Sequence, residues 1–159
     1  MRRLAASLLL IASSVHAQDL PGQLVHPTAV IAAPREAGPA PGQRFLMSAF
    51  PATSQNQLSL FSSKDGVTYT SLASETWQPA KGLLRDPSIL KTADGCWAIV
   101  YTTGWSGQSF GVARSCDLRA WTHVADVTVD LPKLTNVWAP EWFRDADGTV
   151  SVIVSLSTG

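Results

Sequence analysis

The sequence predicts an all-β protein, and three observations carry that prediction. Past residue 17, no segment repeats its apolar residues with the 3.6-residue period of an amphipathic helix. The apolar residues form short runs rich in β-branched and aromatic side chains, separated by Gly, Pro, Asp and Ser. Two different segments also recur after an interval of about 50 residues. Nine strands follow from these patterns, at residues 44–50, 57–63, 67–72, 87–91, 96–103, 109–115, 120–125, 140–144 and 149–156.

The first 17 residues, MRRLAASLLLIASSVHA, have the layout of a secretory signal peptide. Arg2 and Arg3 give a basic start, residues 4–12 form a short apolar stretch, and small residues lead to a cleavage site near Ala17. The alternative, a membrane anchor, needs roughly 20 apolar residues, which is more than this stretch provides. We therefore expect export, to the periplasm or the extracellular space, with residues 18–159 as the mature chain.

Charge and composition exclude some partners. The chain has twelve Lys and Arg residues, two of which lie in the signal peptide, so the mature chain carries ten against twelve Asp and Glu. No run of like charge supports binding to nucleic acid or to an anionic membrane surface. No second segment is apolar enough to span a bilayer. Residues 18–43 are rich in Pro, Ala and Gly, and we expect an irregular N-terminal arm there.

The internal repeat rests on two alignments. DPSILKTADGCWAIVY (residues 86–101) lies over APEWFRDADGTVSVIV (139–154) at an offset of 53 residues. SSKDGVTYTSL (62–72) lies over RSCDLRAWTHV (114–124) at an offset of 52 residues. In the first alignment a proline, an Ala-Asp-Gly turn and an apolar strand coincide. In the second, a Ser-x-Asp turn and an aromatic residue coincide. Two segments with nearly the same period indicate one repeated structural unit.

A unit of about 50 residues with four short strands is typical of a β-propeller blade. Each unit would run inner strand, Asp-Gly hairpin turn, second strand, third strand, Ser-x-Asp turn and outer strand. Residues 44–72 would then be the later strands of one blade, 86–125 a complete blade and 137–159 the opening of another. About two and a half blades cannot close a ring without exposing apolar faces, so we expect a fragment of a longer propeller. A β-sandwich is the alternative architecture.

Two predicted strands, CWAIVYTT and SFGVARSC, are joined by the loop GWSGQ. Cys96 is the first residue of the first segment, and Cys116 is the last residue of the second. A hairpin that turns around Ser106 places the two cysteines directly opposite each other. Such a pair can form a disulfide at a non-hydrogen-bonded site, and an oxidising destination would preserve it. Two small buried thiols are the alternative. Because His26 and His123 show no partner pattern, we expect no metal site.

Four motifs at this spacing, RDPS, Asp-Gly, S-x-D-x-x-x-W and WAPE, resemble the first blades of five-bladed β-propeller glycoside hydrolases. Family 43, which holds α-L-arabinofuranosidases, β-xylosidases and arabinanases, is the most similar. The resemblance covers residues 44–159, from FLMSAF onward. It implies hydrolysis of O-glycosidic bonds in arabinose- or xylose-containing plant polysaccharides or oligosaccharides, with inversion at the anomeric carbon.

The resemblance assigns a catalytic role to Asp86, the carboxylate of RDPS. In the family this Asp resembles the general base that activates water. The alternative is that Asp86 caps a turn or pairs with Arg85. By position alone, Arg85 is also expected to contact the substrate or tune Asp86. Trp105, in the loop TGWSGQ, is expected to bound the pocket and contact the sugar, and the alternative is that it covers the top of a blade.

The segment NVWAPEW (residues 136–142) is the second predicted part of the site. In the family, its tryptophan–carboxylate motif lies at the substrate cavity. This implies that Glu141 contacts the substrate and that Trp138 forms a stacking wall for a sugar ring. Glu141 aligns with Ser88 in the repeat, and residues 86 and 88 share strand parity, so Glu141 is expected to face the same cavity as Asp86. A salt bridge for Glu141 and inter-blade packing for Trp138 are the alternatives.

Two further catalytic carboxylates of the family lie on later blades. We therefore expect the general acid beyond residue 159, and no hydrolysis by residues 1–159 alone. No cofactor is identified, although some members hold a calcium ion in the central channel, for which this chain shows no ligand. A non-catalytic carbohydrate-binding propeller is the alternative function. Fructan-cleaving enzymes with five blades are a weaker one, since they carry an NDP motif where this chain has RDP at 85–87.

Overall fold

The computed structural model describes residues 44–159, apart from the side chains of residues 73–76. This part of the chain contains strands and no helix, so the all-β prediction is confirmed. The strands are β1 (Phe45–Ala49), β2 (Leu58–Ser63), β3 (Thr70–Trp77), β4 (Arg85–Lys91), β5 (Trp97–Thr102), β6 (Ser109–Ser115), β7 (Thr122–Thr128), β8 (Leu134–Arg144) and β9 (Val150–Thr158). The predicted signal peptide, the predicted arm and His26 lie outside the described residues.

The strands form three antiparallel sheets that follow chain order. The first sheet is β1-β2-β3, the second is β4-β5-β6-β7, and the third is β8-β9. Within each sheet, strands that are consecutive in sequence pair with each other, as in consecutive hairpins. Within residues 44–159 the three sheets do not close into a ring.

The first sheet repeats the last three strands of the second. Every residue pair between β1 and β2 becomes a pair between β5 and β6 when 52 is added to both numbers. Phe45 faces Ser63, for example, and Trp97 faces Ser115. A shift in register midway along β2 recurs at the same place in β6. Strands β1, β2 and β3 therefore correspond to β5, β6 and β7, and the described part of the first sheet has no counterpart of β4.

Two apolar clusters pack the described sheets together. Successive side chains of a strand point to opposite faces, so Ile99 and Tyr101 of β5 enter the cluster against the first sheet, whereas Val100 enters the cluster against the third. Strand β5 is consequently buried on both faces. The first cluster also contains Leu58, Leu60, Leu84, Ala113 and Trp121, and the second contains Phe110, Val129, Leu134 and Val137.

The hairpin of β5 and β6 has the predicted register, symmetric about Ser106. Cys96 and Cys116 are joined by a disulfide just beyond its paired residues, with their Cα atoms 4.2 Å apart. Inside the hairpin, Gly111 lies opposite Tyr101. A Cβ atom at Gly111 would lie 2.2 Å from Cζ of the tyrosine ring, so the ring requires glycine at this position.

All nine predicted strands are present, but several predicted boundaries are wrong, among them the ends of β3 and β7, which extend to Trp77 and Thr128 rather than to residues 72 and 125. Strand β3 begins at Thr70 rather than residue 67. The reason is that Asp65 Oδ1 accepts hydrogen bonds from the backbone N–H groups of Val67 and Thr68, at 2.9 and 2.8 Å, which hold both residues in the turn. Strand β8 begins at Leu134 rather than residue 140, because its first half pairs with the end of β9.

Candidate functional site

Asp86 in β4 and Ala139 in β8 have the same unusual backbone conformation. Their φ angles are 49° and 45°, in the left-handed region that non-glycine residues rarely adopt. The 53-residue offset relates the two positions, and each precedes a proline. At each site, two residues lie opposite one residue of the partner strand, which is a β-bulge. Bulges re-aim side chains, so the fold removes both positions from the regular alternation of the strand.

A buried threonine holds the Asp86 carboxylate. Thr102, at the end of β5, is only 2% exposed. Its Oγ1 donates a hydrogen bond to Asp86 Oδ2 at 3.0 Å and accepts one from the backbone N–H of Ala139 at 2.8 Å. One hydroxyl therefore joins the two left-handed residues across the second and third sheets. The other carboxylate oxygen, Oδ1, makes no hydrogen bond with the described part of the chain.

Trp105 lies in the β5–β6 loop, which is tied to β8. The indole N–H of Trp138 donates to the carbonyl oxygen of Gly104 at 3.1 Å, and the N–H of Gly107 donates to the carbonyl oxygen of Thr135 at 2.8 Å. These bonds hold the loop on both sides of Trp105, whose side chain nevertheless remains 59% exposed. The structure thus presents an exposed indole in a constrained position.

The Arg85 guanidinium lies against two aromatic rings. Its Cζ atom is 4.1 Å from the centroid of Trp105 and 5.4 Å from the centroid of Phe50. Both distances are within the range of a cation–π contact. The Nε atom of Arg85 is buried and has no hydrogen-bond partner. The residue next to Asp86 therefore carries a cation that aromatic side chains position.

A cleft of about 230 Å³ lies where the second and third sheets meet. It brings together four residues that the sequence predicts for the site. Its lining consists of Arg85, Asp86, Thr102, Trp105, Trp138, Ala139 and Ser155. An adjoining cleft also contains Asp86 in its wall and adds Glu141, the fifth predicted residue. The other four predicted residues thus lie around Asp86.

Glu141 lines the same cleft as Asp86 and Ser88, although a bulge inserts an extra residue between Arg85 and Ser88. Ser88 Oγ accepts a hydrogen bond from the backbone N–H of Trp142 at 3.1 Å, across to the third sheet. Glu141 is exposed and forms no ion pair within the described residues.

A third cleft, of about 360 Å³, lies at the other face of β5. The Tyr101 hydroxyl and His123 Nδ1 are 3.1 Å apart there, and His123 Nε2 is 3.7 Å from Asp126 Oδ1. Burial, and to a smaller extent the Asp126 charge, raises the pKa of Tyr101. His123, for which the sequence shows no partner pattern, thus contacts a residue of β5 that is 22 residues away in sequence.

Thr102, Phe50 and Ser155 are among the residues around Asp86 and Arg85 that the sequence did not single out. The 53-residue repeat contains a signal for two of them, because it aligns Thr102 with Ser155 and so places a hydroxyl at the same point of each unit. Nothing comparable marks Phe50, whose ring is recognisable only from its contact with Arg85.

Among the described residues, no group of three or more His, Cys, Asp or Glu side chains is arranged to hold a metal ion. The same residues include no helix long and apolar enough to cross a membrane. Neither a scan against protein-family models nor a search of curated proteins finds a match for the chain. Function is therefore inferred from the geometry of the clefts around Asp86.

Proposed function

We propose that the chain is part of an exported glycoside hydrolase of the family 43 type, in which Asp86 is the general base. The observation that carries this proposal is the shared backbone of Asp86 and Ala139. Alanine builds the same left-handed bulge before a proline, so the bulge itself does not require a carboxylate. The carboxylate at position 86 is what distinguishes this unit from the next, and it lines a cleft together with exposed aromatic and polar groups.

A five-bladed β-propeller is the architecture that we propose for the complete protein. Offsets of 52 and 53 residues relate the paired strands of neighbouring sheets, which supports a series of similar blades. The second sheet has four strands, the number that is typical of a propeller blade. In this arrangement β4 and β8 are inner strands, and their first residues face a central cavity. The number of blades comes from the family resemblance.

The hydrogen bonds of Asp86 suit a general base. Thr102 occupies Oδ2 and limits the rotation of the carboxylate, while Oδ1 stays available to accept a proton from water. In an inverting reaction, Asp86 would take a proton as the water oxygen bonds to the anomeric carbon, and a separate acid would protonate the departing oxygen. That acid has to lie roughly 6.5–9.5 Å from the base, which leaves room for the water. In the family it belongs to a later blade.

The remaining residues of the clefts suit sugar binding. Trp105 offers an exposed ring face, and Trp138 lines the same cleft while its N–H bonds to the loop backbone. The substrate in this proposal is an arabinose- or xylose-containing polysaccharide or oligosaccharide. Glu141 would accept hydrogen bonds from sugar hydroxyls on the other side of Asp86, in the adjoining cleft. We propose no cofactor for this chemistry.

A non-catalytic carbohydrate-binding propeller is the second candidate function. The exposed Trp105 favours it as much as it favours hydrolysis, because a sugar ring stacks on such a face in either case. The two functions differ in whether bound glycan is cleaved. Measurements of turnover and of binding on the same protein separate them.

The test of the proposed base uses the hydrolase in its complete form and aryl-arabinofuranoside and aryl-xyloside substrates. Asp86→Asn should lower kcat roughly 10²- to 10⁴-fold, the usual contribution of a general base, while the melting temperature stays close to that of the parent. Glu141→Gln is the matched control, since it neutralises a nearby carboxylate and is expected to raise KM more than it lowers kcat.

A second variant tests the position of the carboxylate. Combining Asp86→Ala with Ala139→Asp moves the carboxylate to the equivalent bulge, and this double variant should stay as inactive as Asp86→Asn. Retention of most activity by Asp86→Asn would show that another group activates the water. Glycan binding by the parent without any turnover would leave only the second candidate function.

A further inference from the structure

The charge of Arg85 is not neutralised within the described part of the protein. Two ion pairs occur among the described residues, and they join Arg114 to Asp94 and His123 to Asp126. Neither involves Arg85, although Asp86 is its neighbour in sequence. The side chain of Arg85 is partly buried. Its Nε atom is fully buried and has no hydrogen-bond partner. A cation that is partly withdrawn from water without an anion is unfavourable unless a ligand supplies that anion.

The aromatic contacts of Arg85 leave its hydrogen-bonding edge unused. A guanidinium is planar, its faces stack on aromatic rings, and its N–H groups all lie at its edge. Trp105 and Phe50 contact the guanidinium, and no described residue accepts a hydrogen bond from it. Such an arrangement fixes the direction of a planar, multiply donating group. Arg85 also lines the cleft that contains Asp86.

We infer that Arg85 binds the carboxylate of a uronic acid residue in the glycan substrate. This inference rests on the proposed function and specifies the substrate further, as an acidic rather than a wholly neutral polysaccharide. The planar carboxylate of a uronic acid matches the edge of a guanidinium in a bidentate pair. Trp105, in contact with the same guanidinium, offers a face on which the ring of that sugar can stack. Arg85 is thus a specificity-determining residue.

The experiment compares two matched pairs of sugars on the full chain. Glucuronate is titrated against glucose and galacturonate against galactose, since the members of each pair differ only in the group at C6. Binding is followed by the indole N–H signal of Trp105 in nitrogen–proton correlation spectra, assigned with Trp105→Phe. Acetate at equal ionic strength reports binding of a carboxylate without a sugar.

The parent chain should bind each uronate roughly tenfold more tightly than its neutral partner, because a charge-assisted bidentate pair is stronger than a neutral hydrogen bond. Arg85→Gln should abolish that preference and leave the affinity for the neutral sugar within about twofold. Arg85→Lys, which keeps the charge and loses the planar edge, should keep only part of the preference. Arg119→Gln removes an exposed arginine from a turn and should change nothing.

Other outcomes overturn the inference in distinguishable ways. Equal binding of uronate and neutral sugar by the parent chain would remove the role of Arg85 and leave the carbohydrate site intact. Acetate binding as tight as that of glucuronate would reduce the site to a simple anion site. A loss of preference in Arg119→Gln as large as in Arg85→Gln would indicate a general effect of charge. If no sugar of either kind moves the Trp105 signal, the inference about Arg85 fails, and the proposed function is then decided by turnover of the aryl-arabinofuranoside and aryl-xyloside substrates. The comparison of sugars on the parent chain needs no variant, so it decides the matter even if Arg85→Gln fails to fold.

Discussion

The beginnings of β4 and β8 share one backbone and differ in chemistry. Both strands have a left-handed residue before a proline and the same bulge against the partner strand. In β4 the left-handed residue is Asp86, whose carboxylate accepts a hydrogen bond from Thr102. In β8 it is Ala139, and the hydroxyl at the position equivalent to Thr102 belongs to the exposed Ser155.

This difference separates what the fold needs from what the site adds. Alanine gains nothing from the left-handed region, so the packing of neighbouring strands must impose that conformation on it. The same packing acts on Asp86, which means that the bulge is a property of the architecture. The carboxylate, in contrast, occurs at the bulge of β4 and not at the bulge of β8. A feature added to a repeated scaffold is a better candidate for function than the scaffold itself.

The largest effect on stability is expected where one hydroxyl joins the two sites. Thr102→Val should leave the backbone N–H of Ala139 without its acceptor and so lower the free energy of unfolding by about 1–3 kcal/mol. Ser155→Ala, at the equivalent position of the next unit, should change it by less than about 0.5 kcal/mol, because the residue is exposed. Urea denaturation of both variants measures the difference, and equal losses would contradict the asymmetry of the two sites.

A smaller effect is expected from the left-handed residues themselves. Ala139→Gly should raise the free energy of unfolding by up to about 1 kcal/mol, since glycine adopts a positive φ without the cost that alanine bears. The greater flexibility of glycine in the unfolded chain offsets part of this gain. Asp86→Gly should bring no gain in the free energy of unfolding. Asp tolerates the left-handed region better than alanine does, and the substitution removes the hydrogen bond from Thr102. Thermal unfolding compares the variants, and a destabilised Ala139→Gly protein would show that the backbone there is not strained.

The smallest expected effect on stability concerns a turn that has the same hydrogen bonds in two neighbouring units. Hydrogen bonds from the backbone N–H groups of Thr68 and Val67, and then from Ser63, lower the pKa of Asp65 from 3.8 to about 2. In the next unit, the backbone N–H groups of Arg119 and Ala120 and the hydroxyl of Ser115 lower the pKa of Asp117 in the same way. These two exposed turns repeat one motif, Ser-x-Asp.

A carboxyl group with a lowered pKa in the folded state stabilises the fold above its unfolded pKa. For Asp65 that contribution is complete above pH 3.8 and is lost as the pH falls towards 2. Asp65→Asn should therefore flatten the decline in urea midpoint between about pH 4 and pH 2, and Asp117→Asn should flatten the same acid decline below pH 3.8. A decline that keeps its slope in both variants would mean that other carboxylates dominate acid unfolding.

Local patterns in the sequence were sufficient to predict much of the fold. Strand positions follow from the alternation of apolar residues and from turn residues, which act over a few positions. The hairpin register follows from its symmetric loop, and the 52-residue repeat foreshadows the pairing of β1 with β2. The boundary of β3 was missed because the side chain of Asp65 competes for backbone N–H groups that a strand would otherwise use.

The sequence by itself determined the strands, their order and the residue types around Asp86, because all of these depend on contacts between near neighbours or on a repeated motif. Only the tertiary structure decided the left-handed bulge at Asp86, the bond from Thr102 and the contact of Arg85 with Trp105 and Phe50. Those features arise where strands from different parts of the chain pack together. A bulge conformation and a cation–π contact are set by the spacing of packed strands, which no local sequence pattern specifies.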